Sequence, residues 1–177
     1  MRCLLASLLL AVSAGAQADA MHLEVTGANA NGRLAPRYAF DGGDCGGQNL
    51  RPTLHWHGQP KATRSLAIGV FDPDAPTGHG WWHWFVLDLP ATTSGLEQDA
   101  ALPPPAFALR NDYGQRGWGG PCPPPGPAHR YVFTVYALDQ AHLALAPDTS
   151  PANALRAVQA HTLDSAQVTL TYGRERP

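Results

Sequence analysis

Apolar residues occur along this chain in short runs, each closed by proline, glycine or aspartate. Four runs are strong strand candidates because they are rich in β-branched and aromatic residues or alternate with polar ones. In chain order they are 66–71, 82–89, 130–138 and 167–172. Weaker strands are predicted at 22–26 and 53–56. One stretch, 152–163, has a helical pattern, with Ser150 as its cap and Pro151 at its first position.

Several strands followed by one late helix, without alternation of strands and helices, predict a mostly β fold. We expect an antiparallel β-sandwich with one or two short helices near the C-terminus. Seventeen prolines and 18 glycines, in a chain that is 44% hydrophobic, indicate many loops around a folded core rather than disorder. No repeat or linker divides the chain after residue 20, so residues 21–177 are predicted to form a single domain.

The first twenty residues have the pattern of an export signal. A basic second residue precedes the apolar run 4–14, which is too short to span a bilayer. Small residues at Ala16 and Ala18, or at Ala18 and Ala20, suit cleavage. We therefore expect residues 1–20 to be a cleaved signal peptide, and the protein to be periplasmic or secreted with no transmembrane segment.

Charge excludes two classes of partner. The formal net charge is −2 and charged residues make up 15% of the chain, which leaves no basic surface for nucleic acid. No amphipathic basic helix favours binding to an anionic membrane surface. The sequence instead favours a small ligand or a protein partner.

Two cysteines follow the predicted signal, Cys45 and Cys122. In an oxidising compartment, an even pair is more often a disulfide than two free thiols. The bridge would tie the Cys45 loop to the proline-rich loop around Cys122. The competing interpretation, Cys122 as a catalytic thiol, needs a free cysteine of low pKa and fits this compartment poorly.

Two loop motifs hold the candidate chemistry. Residues 72–76 read Asp-Pro-Asp-Ala-Pro, and residues 119–126 read Gly-Gly-Pro-Cys-Pro-Pro-Pro-Gly. Each motif leads toward a strand with a histidine near its start, His83 and His129 respectively. Rigid loops that place side chains beside a concave surface suit recognition of a small polar or anionic group.

We expect these loops to act together. A hairpin-like return would bring Asp72 to His83, and the carboxylate would favour the charged imidazole, a donor for an anion. His129 and Tyr131 share a strand face, while Arg130 points the other way, toward a structural carboxylate. The backbone N–H groups of Gly119, Gly120 and Cys122 are further candidate donors, and the glycines allow a close approach to a ligand.

The aromatic residues beside His83 are assigned by strand alternation. Trp81 is expected to line the pocket with His83, while Trp82 and Trp84 face away from it.

Asp74 has two open interpretations, a residue of the site or a carboxylate that only closes the turn.

Metal binding and hydrolysis are the alternative functions to recognition of an anion. The spacings His55-x-His57 and His79-x-x-x-His83 suggest ligands, but the second needs a helix that the flanking glycines disfavour. We predict no metal and no cofactor. An acid–base hydrolase that uses Asp72, His83 and His129 remains the alternative function, although the sequence contains no Gly-x-Ser-x-Gly elbow.

Taken together, these motifs resemble the phosphatidylethanolamine-binding protein (PEBP) family, in its bacterial branch of Raf-kinase-inhibitor-like proteins. The resemblance covers most of the chain after residue 20. The motifs that support it are, in order, 40–41, 50–56, 72–76, 82–84, 111–114, 119–124 and 129–131. The chain departs from the family pattern at Asp88, where asparagine is expected, and in the glycine-rich loop 42–47.

The resemblance implies a β-sandwich with a small anion pocket near one end. In this family, the pocket accepts phosphate-type groups, including the phosphorylethanolamine head group. Carried over by motif, the ligand-binding residues are Asp72, His83, Pro124, His129 and Tyr131, with Ala75, Pro76 and Trp81 at the rim. The expected ligand is a small anionic or phosphorylated molecule, and a protein partner is expected to transmit the effect.

Overall fold

Two antiparallel sheets form the framework of the chain in a computed structural model that describes residues 20–175. Except for Ala20, the predicted signal peptide lies outside the described residues. Within 20–175, no helix is long and apolar enough to cross a membrane.

The strands and helices follow the turn signals of the sequence. The described strands are β1 His22–Val25, β2 Leu54–His57, β3 Ser65–Asp72, β4 Trp81–Pro90, β5 Gly95–Leu96, β6 Phe107–Ala108, β7 His129–Leu138 and β8 Thr162–Tyr172. A short 3₁₀ helix covers Pro36–Tyr38, and helix α1 covers Pro151–Ala160. The smaller sheet has the order β1-β2-β5, and the larger has the order β6-β4-β3-β7-β8.

The main core lies between the two sheets. Because successive side chains of a strand point to opposite faces, Leu54 and Trp56 of β2 meet Ile68 of β3 and Phe133 and Val135 of β7 in one buried cluster. The other face of the larger sheet carries a second cluster. There Ala67, Phe85 and Leu87 of the sheet pack with Ala154 and Val158 of α1.

The predicted fold class is confirmed: the chain is mostly β, with two antiparallel sheets and one α-helix among the described residues. The predicted helix end was wrong by three residues. Helix α1 ends at Ala160 because Thr162 pairs with Leu138, which extends β8 along β7. Strands β5 and β6 were not predicted, since two residues are too short to show a periodic pattern.

The topology brings the two predicted motifs to one edge of the larger sheet. Strand β3 pairs antiparallel with both β4 and β7. The C-terminal end of β3, at Asp72, therefore lies beside the N-terminal ends of β4 and β7, at Trp81 and His129. Functional side chains that are 57 residues apart in sequence meet for this reason.

Packing between the sheets should dominate stability. Val135→Ala removes a fully buried side chain from the main core, and we expect a loss of about 2 kcal/mol in the free energy of unfolding. The matched control is Val132→Ala on the opposite face of β7, where the side chain is half-buried, and its cost should be below about 1 kcal/mol. Urea unfolding of both variants measures the difference, and equal losses would contradict the assigned core.

Candidate functional site

An open pocket of about 390 Å³ lies at this edge of the larger sheet. All eight predicted ligand-binding residues line it: Asp72, Ala75, Pro76, Trp81, His83, Pro124, His129 and Tyr131. The lining also includes residues that the sequence analysis did not assign to the site: Phe40, Gly42, Gly43, Asp44, Thr77, Tyr113 and Pro123. The two loop motifs therefore both contribute to the lining of a single pocket.

Asp72 pairs with His129, and not with His83 as predicted. Its Oδ2 lies 2.8 Å from Nδ1 of His129, and its Oδ1 accepts a hydrogen bond from the backbone N–H of Asp74 at 2.8 Å. The side chain is almost fully buried. Both carboxylate oxygens are thus engaged within the protein, and the prediction failed because β7, not the start of β4, supplies the facing histidine.

His83 sits at a register shift between β3 and β4. Val70 pairs with Trp84 and Phe71 pairs with Trp82, so His83 is the extra residue between them. Such a shift redirects a side chain relative to regular alternation. The His83 ring is buried, and its Nδ1 lies 2.7 Å from the carbonyl oxygen of Gly119.

The environment keeps the His83 imidazole neutral. Burial lowers its pKa to about 4, despite the opposing hydrogen bond to Gly119 and the negative charge of Asp72. The prediction of a charged His83 ring is therefore wrong. Because a carbonyl oxygen can only accept, Nδ1 carries the proton and donates to Gly119, which leaves Nε2 as an acceptor.

The same register shift separates the neighbouring tryptophans. Trp84 is buried in the core between the sheets, whereas Trp82 packs against the second cluster on the other face. The prediction that both lie on one face opposite His83 was therefore wrong. Trp81 does line the pocket, with its ring in an edge contact to Tyr113 at a centroid distance of 5.3 Å.

A loop that the sequence analysis left out of the site holds β4 in place. Asp112 accepts a hydrogen bond from the backbone N–H of Trp82 at 2.7 Å, and Asn111 Nδ2 donates to the carbonyl oxygen of His83 at 3.3 Å. Tyr113 donates its hydroxyl proton to the carbonyl oxygen of Gly120 at 2.9 Å. The run Asn-Asp-Tyr-Gly is a turn signal, but its partners cannot be deduced from the sequence.

The glycines of the second motif serve the protein's own framework. Gly119 donates its N–H to the carbonyl oxygen of His83 at 2.9 Å, and Gly120 donates to Oδ1 of Asn49 at 2.7 Å. The expectation that they are free donors for a ligand was therefore wrong. A Cβ atom on Gly119 would lie 2.5 Å from the Tyr113 ring, so close packing explains the glycine at this position.

Arg130 points away from the pocket, as predicted. Its Nε and Nη2 donate to the two carboxylate oxygens of Asp74 at 2.9 and 2.7 Å, and its backbone N–H also donates to Asp74. These hydrogen bonds with Arg130 hold the pKa of Asp74 at about 2. The open question about Asp74 is thereby decided: its carboxylate fixes the start of β7 and is not a ligand of the pocket.

Cys45 and Cys122 form the predicted disulfide. It joins the pocket lining on two loops that are 77 residues apart in sequence. Asp44, next to this bridge, pairs with Arg174 at 2.8 Å. Although Asp44 and the two sulfurs cluster closely enough for metal ligands, sulfurs joined in a disulfide are not thiolates, so this cluster does not suit a metal.

Three buried polar atoms of the pocket residues have no hydrogen-bond partner within residues 20–175. They are Nε1 of Trp81, Nε2 of His83 and Oη of Tyr131. Burial raises the pKa of Tyr131, so its hydroxyl keeps its proton and can donate. Buried polar groups are normally paired, and three of the six unpaired buried side-chain atoms within residues 20–175 belong to residues that line this pocket.

Comparisons with known proteins match the same region. A family model described as phosphatidylethanolamine-binding protein matches residues 25–173. The UPF0098 protein YbcL of Escherichia coli is 38% identical over 180 residues, covering 97% of this chain and 98% of the relative. The UPF0098 protein YbhB of the same organism is 40% identical over 145 residues, covering 79% and 92%.

A solved structure agrees with this fold. The crystal structure of E. coli YbcL, described as a new member of the mammalian PEBP family, superimposes with a TM-score of 0.84 at 36% identity. The match covers 89% of this chain and the whole of that chain.

The protonation state of His83 can be measured directly. We expect its ¹⁵N NMR signals, without ligand, to show protonated Nδ1 and unprotonated Nε2 from pH 8 to pH 5, because its pKa is lowered to about 4. Protonation should set in only below pH 5. A midpoint near 6.5, the ordinary value, would contradict the buried and neutral ring.

The disulfide should be a main support of the pocket walls. The double variant Cys45→Ser/Cys122→Ser is expected to lose about 4 kcal/mol in the free energy of unfolding, since the bridge closes a long loop. Urea unfolding measures the loss. Wild-type protein that has been reduced and alkylated is the control and should lose a similar amount; unchanged stability in both would contradict the prediction.

Proposed function

This chain belongs to the phosphatidylethanolamine-binding protein family, and we propose that its pocket recognises a small anionic group of the phosphate type. The ligand would be a phospholipid head group or a phosphorylated small molecule. In this proposal the protein is exported, acts by binding rather than by catalysis, and transmits its effect through a protein partner.

The observation that supports the pocket as a binding site is the set of three unpaired polar atoms. Each of Trp81 Nε1, His83 Nε2 and Tyr131 Oη is buried without a partner among the described residues. Leaving such a group unpaired costs about 1–3 kcal/mol. A ligand that pairs with all three would recover this free energy, and only a polar group can do so.

The walls favour a small head group over a long chain. The volume of about 390 Å³ is near the lower end for ligand pockets. Phe40 and Tyr113 stack with a centroid distance of 4.2 Å, and Pro123 and Pro124 add a conformationally stiff part of the lining. Acyl chains would remain outside this space.

The affinity for a bare anion should be modest. No lysine or arginine lines the pocket in the part of the chain that is described. Two or three charge-assisted hydrogen bonds contribute about 1.5–3 kcal/mol each, against an association cost of at least about 4 kcal/mol. Binding on the order of millimolar follows, so further contacts from the ligand or from a partner are part of the proposal.

Export is supported by the Cys45–Cys122 disulfide. Such bridges persist in oxidising compartments and are rare in the cytosol. The expected signal peptide at residues 1–20 points the same way.

Binding rather than hydrolysis is supported by the chemistry of the pocket. His83 is neutral and donates from Nδ1 to Gly119. Within residues 20–175 no serine lines the pocket, the Thr77 hydroxyl already donates to the carbonyl oxygen of Gly80 at 2.6 Å, and the sulfurs of Cys45 and Cys122 are joined. These features favour binding over catalysis through a covalent intermediate.

Titration with phosphorylethanolamine at pH 6 tests the proposal. We expect the imidazole NMR signals of His83 and His129 to shift with a dissociation constant on the order of millimolar. Tyr131→Phe removes one donor of the pocket and should weaken binding about tenfold, the effect of about 1.4 kcal/mol.

The matched control is Tyr136→Phe, on the same strand but outside the pocket, which should bind as the wild type does. Unshifted histidine signals at tens of millimolar ligand would contradict the proposed function. Turnover of the phosphoester that disappears in His129→Ala would replace the binding function by hydrolysis.

A further inference from the structure

We propose that the pocket selects a phosphate group that carries one proton, that is, the monoanion of a phosphate monoester, over the dianion and over sulfate. This inference rests on the proposed function of the same pocket and specifies the form of the ligand. It follows from which unpaired atoms donate and which accept.

His83 supplies the acceptor. Nδ1 lies 2.7 Å from the carbonyl oxygen of Gly119. Because that oxygen can only accept, the proton of the neutral ring must be on Nδ1. The neutral ring therefore presents a lone pair at Nε2, and this atom is buried without a partner in the described chain. A ligand atom that meets Nε2 must bring a hydrogen of its own.

Trp81 and Tyr131 supply donors. The indole Nε1 can only donate, and the Tyr131 hydroxyl keeps its proton because burial raises its pKa. The pocket thus offers two donors and one acceptor. A phosphate monoanion has the complementary set, with unprotonated oxygens that accept and one P–OH group that donates. A dianion or a sulfate has no hydrogen to give to His83.

The charges around His83 also favour a ligand with one negative charge over a dianion. The titratable groups that face it are Asp72 on β3, His129 and Tyr131 on β7, and Asp112 and Tyr113 on the supporting loop. Two of these are carboxylates.

The neighbouring arginines do not offset these carboxylates inside the pocket. Arg130 pairs with Asp74, and Arg174 pairs with Asp44. Besides His83, the one basic side chain that lines the pocket among the described residues is His129, which is already paired with Asp72. A second negative charge on the ligand would therefore be desolvated without an unpaired cation to compensate it.

The inference predicts how affinity depends on pH. The second pKa of a phosphate monoester is about 6, so its protonated fraction falls about tenfold per unit above that value. Between pH 5 and pH 8, the dissociation constant of phosphorylethanolamine should rise about ninetyfold. The free His83 ring does not contribute to this change, because its pKa of about 4 lies below the range.

A matched series of three ligands separates ligand protonation from protein protonation. Phosphorylethanolamine, 2-aminoethylphosphonate and ethanolamine O-sulfate share an ammonium group but differ in the acidity of the anion. Each is titrated into the full-length chain at pH 5, 6, 7 and 8, with calorimetry or histidine NMR signals as the readout.

We expect the pH midpoint of binding to move upward for the phosphonate, whose second pKa is higher. The sulfate should bind at least about tenfold more weakly than phosphorylethanolamine at pH 5.

Three results would overturn the inference. They are equal affinities of phosphorylethanolamine at pH 5 and pH 8, a pH midpoint of binding that is the same for phosphate and phosphonate, and sulfate binding that equals phosphate binding at pH 5. In these cases anion binding, and with it the proposed function, would stand. If none of the three ligands binds at any pH, the proposed function itself fails.

The variant His83→Gln tests the assigned atom. Its amide can donate where the neutral imidazole only accepts, so the preference for phosphate over sulfate should shrink. An unchanged preference in the folded variant would overturn the role of His83. Should the variant not fold, the ligand series on the wild-type protein still decides the question.

Discussion

The buried imidazole of His83 and the backbone of Gly119 hold each other by two hydrogen bonds, and the geometry of the pocket depends on this contact. Nδ1 of His83 donates to the carbonyl oxygen of Gly119 at 2.7 Å, and the N–H of Gly119 donates to the carbonyl oxygen of His83 at 2.9 Å. The contact joins the start of β4 to the proline-rich loop. It also fixes the tautomer of the ring, because Nδ1 must carry the proton that the Gly119 carbonyl accepts. In the proposed function, the remaining nitrogen, Nε2, would meet the ligand.

The charged side chains around the pocket are paired with one another, so they leave little net positive charge inside it. Asp72 is paired with His129 inside, while Asp74 with Arg130 and Asp44 with Arg174 form pairs toward the outside. These outer pairs fix loops and strand ends rather than a ligand. In the proposed function, such a pocket would discriminate by the pattern of donors and acceptors, because that pattern, unlike a general positive field, distinguishes one anion from another.

Rigid walls make such discrimination effective. The Cys45–Cys122 bridge, the prolines at 123 and 124 and the stacked Phe40 and Tyr113 surround the pocket. Groups that are held before a ligand arrives lose little conformational entropy on binding. The unliganded protein is less stable for this reason, because three polar atoms are buried without partners among the described residues.

Residue patterns alone predict the strand runs, the helix start at Pro151, the disulfide pair and the two motifs that line the pocket. Apart from the disulfide, which follows from the cysteine count, these features are local, since β-branched alternation, a proline at the first helical position and proline-fixed turns can be read within a few residues. Packing of distant segments sets which histidine Asp72 meets, the neutral state of His83 and the hydrogen bonds that use the glycine N–H groups. Each of these depends on a strand register or a burial that arises when distant segments pack, and no spacing along the chain encodes it.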